Sequence, residues 1–149
     1  MEIYGNIVTA ITNGFAIIPL YYAIKANDMV TSWIICVSAL ASTLSHLFES
    51  HKHGLHGFGT PAKYSYYLNR CDVVCAVLLF GQVLQLATFN IMVPQDIYIL
   101  TICGSIFLIC NKISESDTTI RTQKRYLIFH NIWHIGIFCT LGYFLKIIY

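Results

Sequence analysis

Residues 126–148 read YLIFHNIWHIGIFCTLGYFLKII. A helix that crosses a bilayer needs about 20 mostly apolar residues in a row, and this run supplies them. Its polar exceptions include His130 and His134, set four apart around Asn131, Ile132 and Trp133. At that spacing two side chains share one helix face. Imidazoles are costly inside a bilayer, so an intramembrane pair reads first as a functional site. Two histidines held this way could donate two nitrogens to one metal ion. The stretch therefore predicts a membrane helix carrying a ligand pair. The question it raises is whether the rest of the chain brings further ligands to the same depth.

The composition agrees with a membrane setting. The chain has 149 residues, room for a single domain over 1–149, with no repeat and no low-complexity segment. Apolar residues make up 56% and charged residues 11%, against roughly 25% charged in a soluble domain. Mean hydropathy is +0.63. A net charge of +2 is too small to suggest nucleic-acid binding. The six cysteines (Cys36, Cys71, Cys75, Cys103, Cys110 and Cys139) lie in or at the ends of apolar segments, which favours reduced thiols over a secreted disulfide framework. The start of the chain has no basic region ahead of its first apolar segment, so that segment is expected to remain as a helix.

Five segments are long and apolar enough to span: Ile7 to Ile24, Val30 to Glu49, Tyr67 to Thr88, Gln95 to Cys110, and Tyr126 to Ile148. The fold class predicted is an all-α integral membrane bundle of about five transmembrane helices. Asn27-Asp28 and Val93-Pro94-Gln95-Asp96 read as tight helix connections that cap the helices after them. With five spans, one side of the membrane receives Lys52, Lys63, Arg70, Lys112, Arg121, Lys124 and Arg125. The other receives only Lys25 and Lys146. The positive-inside rule makes the first side cytoplasmic. The N-terminus is then expected inside and the C-terminus lumenal or extracellular.

Depth brings the polar residues together. Ser42, Ser45, His46 and Glu49 fall in the last turns of the second helix. Asp72 falls in the first turns of the third, and His130 and His134 in the first turns of the fifth. All are expected at the cytoplasmic face. Three neutral imidazoles with one open position make the arrangement of a catalytic zinc ion. His46, His130 and His134 are the predicted ligands, with an activated water in the fourth position. Ser42 shares a face with His46 and could donate to a developing oxyanion. Asp72 could accept a proton from the water or orient a ligand imidazole. A site that meets water and lipid together suits an amide or ester bond of a membrane lipid.

Simpler readings stand beside these. His46 could meet water or a lipid phosphate, Asp72 could cap the third helix or pair with Arg70, and Ser42 could pack between helices. His46 with one of the pair could instead bind haem. The tract His51-Lys52-His53-Gly54-Leu55-His56 reads as a polar loop, and Cys71 and Cys75 as packing residues. Glu49 is either a supporting carboxylate or an interfacial charge. Tyr64, Tyr66, Tyr67 and Trp133 suit an interfacial belt. The run Thr118 to Arg125 suits a solvated loop facing anionic lipid.

Ser42-Thr43-Leu44-Ser45-His46, then Asp72, then His130-Asn131-Ile132-Trp133-His134 resembles the CREST superfamily of alkaline ceramidases, progestin and adipoQ receptors, GPI-remodelling hydrolases and myomaker. The His-x-x-Trp-His form looks like the ceramidase and myomaker-related branches. The stretch from Arg70 to Leu79 looks more like the latter. The resemblance implies zinc on the three histidines, with serine and aspartate in support. It implies lipid amide or acyl-ester hydrolysis in some members and a receptor or fusion role in others. The superfamily has a seven-helix core where five segments are counted here. The chain is then a reduced form, and a minimal enzyme, a homo-oligomer that completes the pocket, or a non-catalytic protein with a structural zinc are all consistent with it.

Overall fold

A computed structural model describes residues 2–48, 58, 62–90, 92–115 and 123–149. Every regular element among them is helical: α1 (Glu2–Thr12), a 3-10 turn (Asn13–Ala16), α2 (Ile17–Lys25), α3 (Met29–Phe48), α4 (Ala62–Phe89), α5 (Pro94–Glu115) and α6 (Gln123–Ile148). Five helical stretches are long and apolar enough to cross a membrane: Asn6–Lys25, Met29–Phe48, Lys63–Phe89, Pro94–Ser114 and Lys124–Ile148. The all-α class and the five spans agree with the sequence. The ends do not all agree. α4 begins five residues before Tyr67, and α5 continues five residues past Cys110. Hydropathy marks the part of a helix that suits lipid, whereas backbone hydrogen bonding carries the helix on into its polar flanks.

The first span is not one continuous α-helix. Pro19 has no N–H to give the carbonyl four residues back, and its ring crowds that carbonyl. The residue in question is Phe15, inside the 3-10 turn. At the end of that turn the Ile17 N–H bonds to Gly14 rather than continuing the α pattern from Asn13. A tighter turn upstream of the proline relieves the clash.

The α2–α3 connection is built from two adjacent residues. Asn27 takes a left-handed backbone, φ 59°, which asparagine tolerates better than most side chains. Its N–H bonds to the Ile24 carbonyl and the Asp28 N–H to that of Ala23, both at 2.9 Å, closing the end of α2. Asp28 then caps α3 by accepting from the Thr31 N–H at 3.0 Å and the Thr31 hydroxyl at 2.5 Å. At the other tight connection Pro94 opens α5, where its missing N–H costs nothing.

Helix neighbours follow an order that differs from chain order. The first span lies against both α3 and α6; α4 packs on α3, and α5 packs on α6. The order is α4, α3, first span, α6, α5. Backbones of α3 and α6 do not approach closely, and neither do those of α4 and α5, although residues 90–93 join the latter pair. The core forms where the first span, α3 and α6 meet, from Ala16, Ala23, Ile35, Phe138, Leu141, Phe144 and Leu145. Polar rungs set the α3–α4 register. Gln82 donates to Thr31 at 3.0 Å, Ser38 donates to the Cys75 carbonyl at 3.1 Å, and Ser42 bonds to the Asp72 carboxyl. Such bonds hold helices together where lipid is as apolar as the helix surfaces.

Candidate metal centre

His46 sits in the last turn of α3, two residues from its end. His130 and His134 sit in the second and third turns of α6. The gap between the α3 and α6 backbones is bridged by these rings. His130 Nε2 lies 3.4 Å from His46 Nε2. Ring centroids are 5.0 Å apart for His46 with His130, 5.0 Å for His46 with His134, and 4.7 Å for His130 with His134. One ligand nitrogen from each ring falls within 4.8 Å of the others, and the residues are only 4%, 8% and 5% exposed.

The spacing suits a small cation. Tetrahedral bonds of about 2.05 Å, as zinc makes to imidazole, hold nitrogens about 3.3 Å apart. The group could therefore hold a metal ion with small adjustments of its rings. Nitrogen-only donors favour first-row transition ions over calcium or magnesium, which prefer oxygen.

Among the described residues, Tyr126, Ser114 and Thr12 meet the rings. Tyr126, one turn before His130, stacks on that imidazole with centroids 4.7 Å apart and planes inclined by 23°. Ser114, near the end of α5, places its hydroxyl 3.3 Å from His130 Nδ1. Thr12, at the end of α1, places its hydroxyl 3.3 Å from His134 Nδ1. Sequence reasoning passed over all three. Hydroxyls are routine in membrane helices. The signal that could have pointed to Thr12 is the polar face it extends: Asn6, Thr9, Thr12 and Asn13 are all buried at 7% exposure or less.

Ser42 and Asp72 come together, as the Ser42 hydroxyl bonds to the Asp72 carboxyl. Ser42 lies one turn from His46 along α3. Asp72 is not one of the three residues that converge on a single point. It does not cap α4 either, because that helix starts ten residues earlier at Ala62. Arg70 lies over the Tyr66 ring, 5.0 Å from its centroid. Ser45 is fully buried beside His46, so both serines before that histidine face inward. Ser42 is the one that engages Asp72. Cys71 and Cys75 are unbridged, and the Cys75 carbonyl serves α3–α4 packing. Of the residues expected in an interfacial belt, Tyr64, Tyr66 and Tyr67 are exposed and Trp133 is half-buried. Glu49, the tract from His51 to His56, and residues 118–122 of the basic run lie outside the described residues.

No family model matches the chain, and no solved structure matches it. An uncharacterized protein of Acanthamoeba polyphaga mimivirus is 34% identical over 148 residues, covering 95% of this chain and 96% of that protein.

Proposed function

We propose that this chain, which belongs to one family with that mimivirus protein, is a zinc-dependent membrane hydrolase that cleaves a lipid amide or acyl ester. The observation that carries the reading is the convergence of His46, His130 and His134 in a buried, nitrogen-only group. The resemblance to the CREST superfamily supports it, through the same three histidines with Ser42 and Asp72. The excess of seven basic residues over the two on the opposite side supports a site at the cytoplasmic face.

Zinc bound there would supply a Lewis acid and activate water at neutral pH. The protein's own groups then divide the work. Ser42 has one proton, and in this structure it faces Asp72. When Asp72 takes a proton from the attacking water, its new O–H can donate back to the Ser42 oxygen. The Ser42 proton is then released to turn towards the developing oxyanion of the substrate. The pair thus couples proton removal to charge stabilisation without any net change in its own proton count once Asp72 gives its proton to the leaving group.

Purified protein should contain about one zinc per chain by elemental analysis. His134→Ala should lose it, together with turnover in a panel of lipid amides and esters. Wild type without stoichiometric metal would end the proposal. Zinc without turnover would remove catalysis and leave the site.

A second reading, a non-catalytic receptor-like or membrane-remodelling protein with structural zinc, has one specific observation behind it. Ser42–Asp72 is also the third rung of the α3–α4 ladder. Asp72→Asn can keep that rung but cannot take up a proton. Retained biological activity in this variant favours the structural role.

A further inference from the structure

Two of the three histidines turn their Nδ1 towards a hydroxyl, and in both cases the hydroxyl proton is already engaged elsewhere. Ser114 Oγ lies 2.6 Å from the Asn111 carbonyl oxygen and 3.3 Å from His130 Nδ1. Thr12 Oγ1 lies 2.6 Å from the Thr9 carbonyl oxygen and 3.3 Å from His134 Nδ1. A hydroxyl carries one proton and two lone pairs, and a carbonyl oxygen can only accept. The short contacts take the protons. What each hydroxyl offers the neighbouring ring is a lone pair, which only an Nδ1–H can use. Thr12 Oγ1 is also 3.4 Å from the Asn131 side-chain amide. The atom there is Oδ1, a second acceptor, and the far shorter contact to the Thr9 carbonyl keeps the single hydroxyl proton.

From this we infer that Thr12 and Ser114 are positioning residues that hold His134 and His130 as Nδ1–H tautomers, so that Nε2, which on His130 faces His46 Nε2 at 3.4 Å, is the atom each ring offers a cation. The inference concerns which atoms bind the metal, and so rests on the metal-site reading. Its geometric part, the tautomer of each ring, stands without a metal.

The bonds to the helix backbone are ordinary by themselves. Thr43, Thr88 and Thr101 make the same kind of bond, to Ala39, Gln85 and Ile97. Thr12 and Ser114 differ because an imidazole meets the same oxygen. They also reach the site from two different elements, α1 and α5, one for each ring of the α6 pair. Both are buried, at 7% and 2% exposure. A ligand imidazole characteristically donates its second N–H to a fixed acceptor, which sets its tautomer and orientation. Here the acceptors are hydroxyls whose own protons are held on a helix backbone.

The test is a two-bond 1H–15N correlation spectrum of the full chain, labelled at histidine, stripped of metal and held in lipid nanodiscs. Rings are assigned from single His→Gln variants. His130 and His134 should both show the Nδ1–H pattern. Thr12→Val should release His134 alone, and Ser114→Ala His130 alone, while Thr12→Ser and Ser114→Thr keep the wild-type pattern. Zinc affinity should fall about 10- to 100-fold in the first two variants and recover in the conservative ones. Either ring found as Nε2–H in the wild type overturns the inference, and that spectrum decides even where a variant fails to fold. Unchanged patterns and zinc affinity in both Thr12→Val and Ser114→Ala also overturn it. Nδ1–H rings in a protein that binds no zinc would leave the positioning intact and remove the metal-site reading.

Discussion

At the scale of single residues, the positions with the least side chain are among the most constrained. A Cβ at Gly136 would lie 2.1 Å from the Phe107 ring, and one at Gly142 would lie 2.6 Å from Ile18 Cγ2. The first glycine sets how closely α6 meets α5, and the second how closely it meets the first span. Gly136→Ala must displace an aromatic ring in a helix contact, and overpacking of that kind costs about 1–3 kcal/mol. Its melting temperature in detergent should fall clearly below wild type. Gly14 faces open space, so Gly14→Ala should be close to neutral and serves as the control. Gly136 is also two residues past His134, so the variant is expected to loosen metal binding as well. At the site itself, Ser42→Ala should lower turnover about 100-fold or more if the hydroxyl meets the oxyanion. Zinc content should hardly change.

Among the elements, the α2–α3 turn carries the clearest dependence on pH. Burial pushes the Asp28 carboxyl up, but bonds from the Thr31 hydroxyl, Tyr149 and the Thr31 and Val30 N–H groups outweigh it and hold Asp28 below its usual 3.8. Tyr149 follows the end of α6 and donates its phenol to the same carboxylate. Burial first, and then that bond, push Tyr149 up to about 12. The signs are opposite. The lowered Asp28 contributes stability that is present above its unfolded value and is lost as pH falls through the folded one. The raised Tyr149 contributes stability that is present below its unfolded value, near 10, and is lost as pH rises towards about 12. Melting curves against pH should fall off at both ends in the wild type. Asp28→Ala should reduce both slopes and cost about 1 kcal/mol for the lost cap.

For the molecule as a whole, a ligand that binds only the folded state stabilises it by mass action, by about 2.7 kcal/mol at a hundredfold excess over its Kd. Zinc should therefore raise the melting temperature of the wild type, and a chelator should lower it. His46→Ala should show no response to either. Sidedness is a separate test of the whole chain. Five spans put the two termini on opposite faces, so reporters at the two ends should give opposite accessibility in sealed vesicles, with the N-terminal one cytoplasmic.

The number of spans and the shared depth of His46, His130 and His134 were legible in the chain. Hydrocarbon leaves a backbone no partner but itself, so spans must be helices of a set length. Once the spans are counted, parity fixes which helix ends share a side. Helix ends were less legible, because polar flanks such as Asn111 to Ser114 continue the hydrogen bonding after the hydropathy signal stops. The Asp28 cap could be read because Asn-Asp at a helix boundary is a local matter. Lateral order could not be read. A polar stripe such as Asn6, Thr9, Thr12 and Asn13 can mark which face of a helix turns inward, but no periodicity says which neighbour that face meets. That choice rests on close fits such as Gly142 against Ile18 and Gly136 against Phe107. Only tertiary packing set the first span between α3 and α6 and α5 beside α6, and with them the hydroxyls of Thr12 and Ser114 against the two rings. The sequence determined that three imidazoles reach one depth, because a bilayer constrains each helix along its axis. The tertiary structure decided which nitrogens they present, because that depends on neighbours across the bundle.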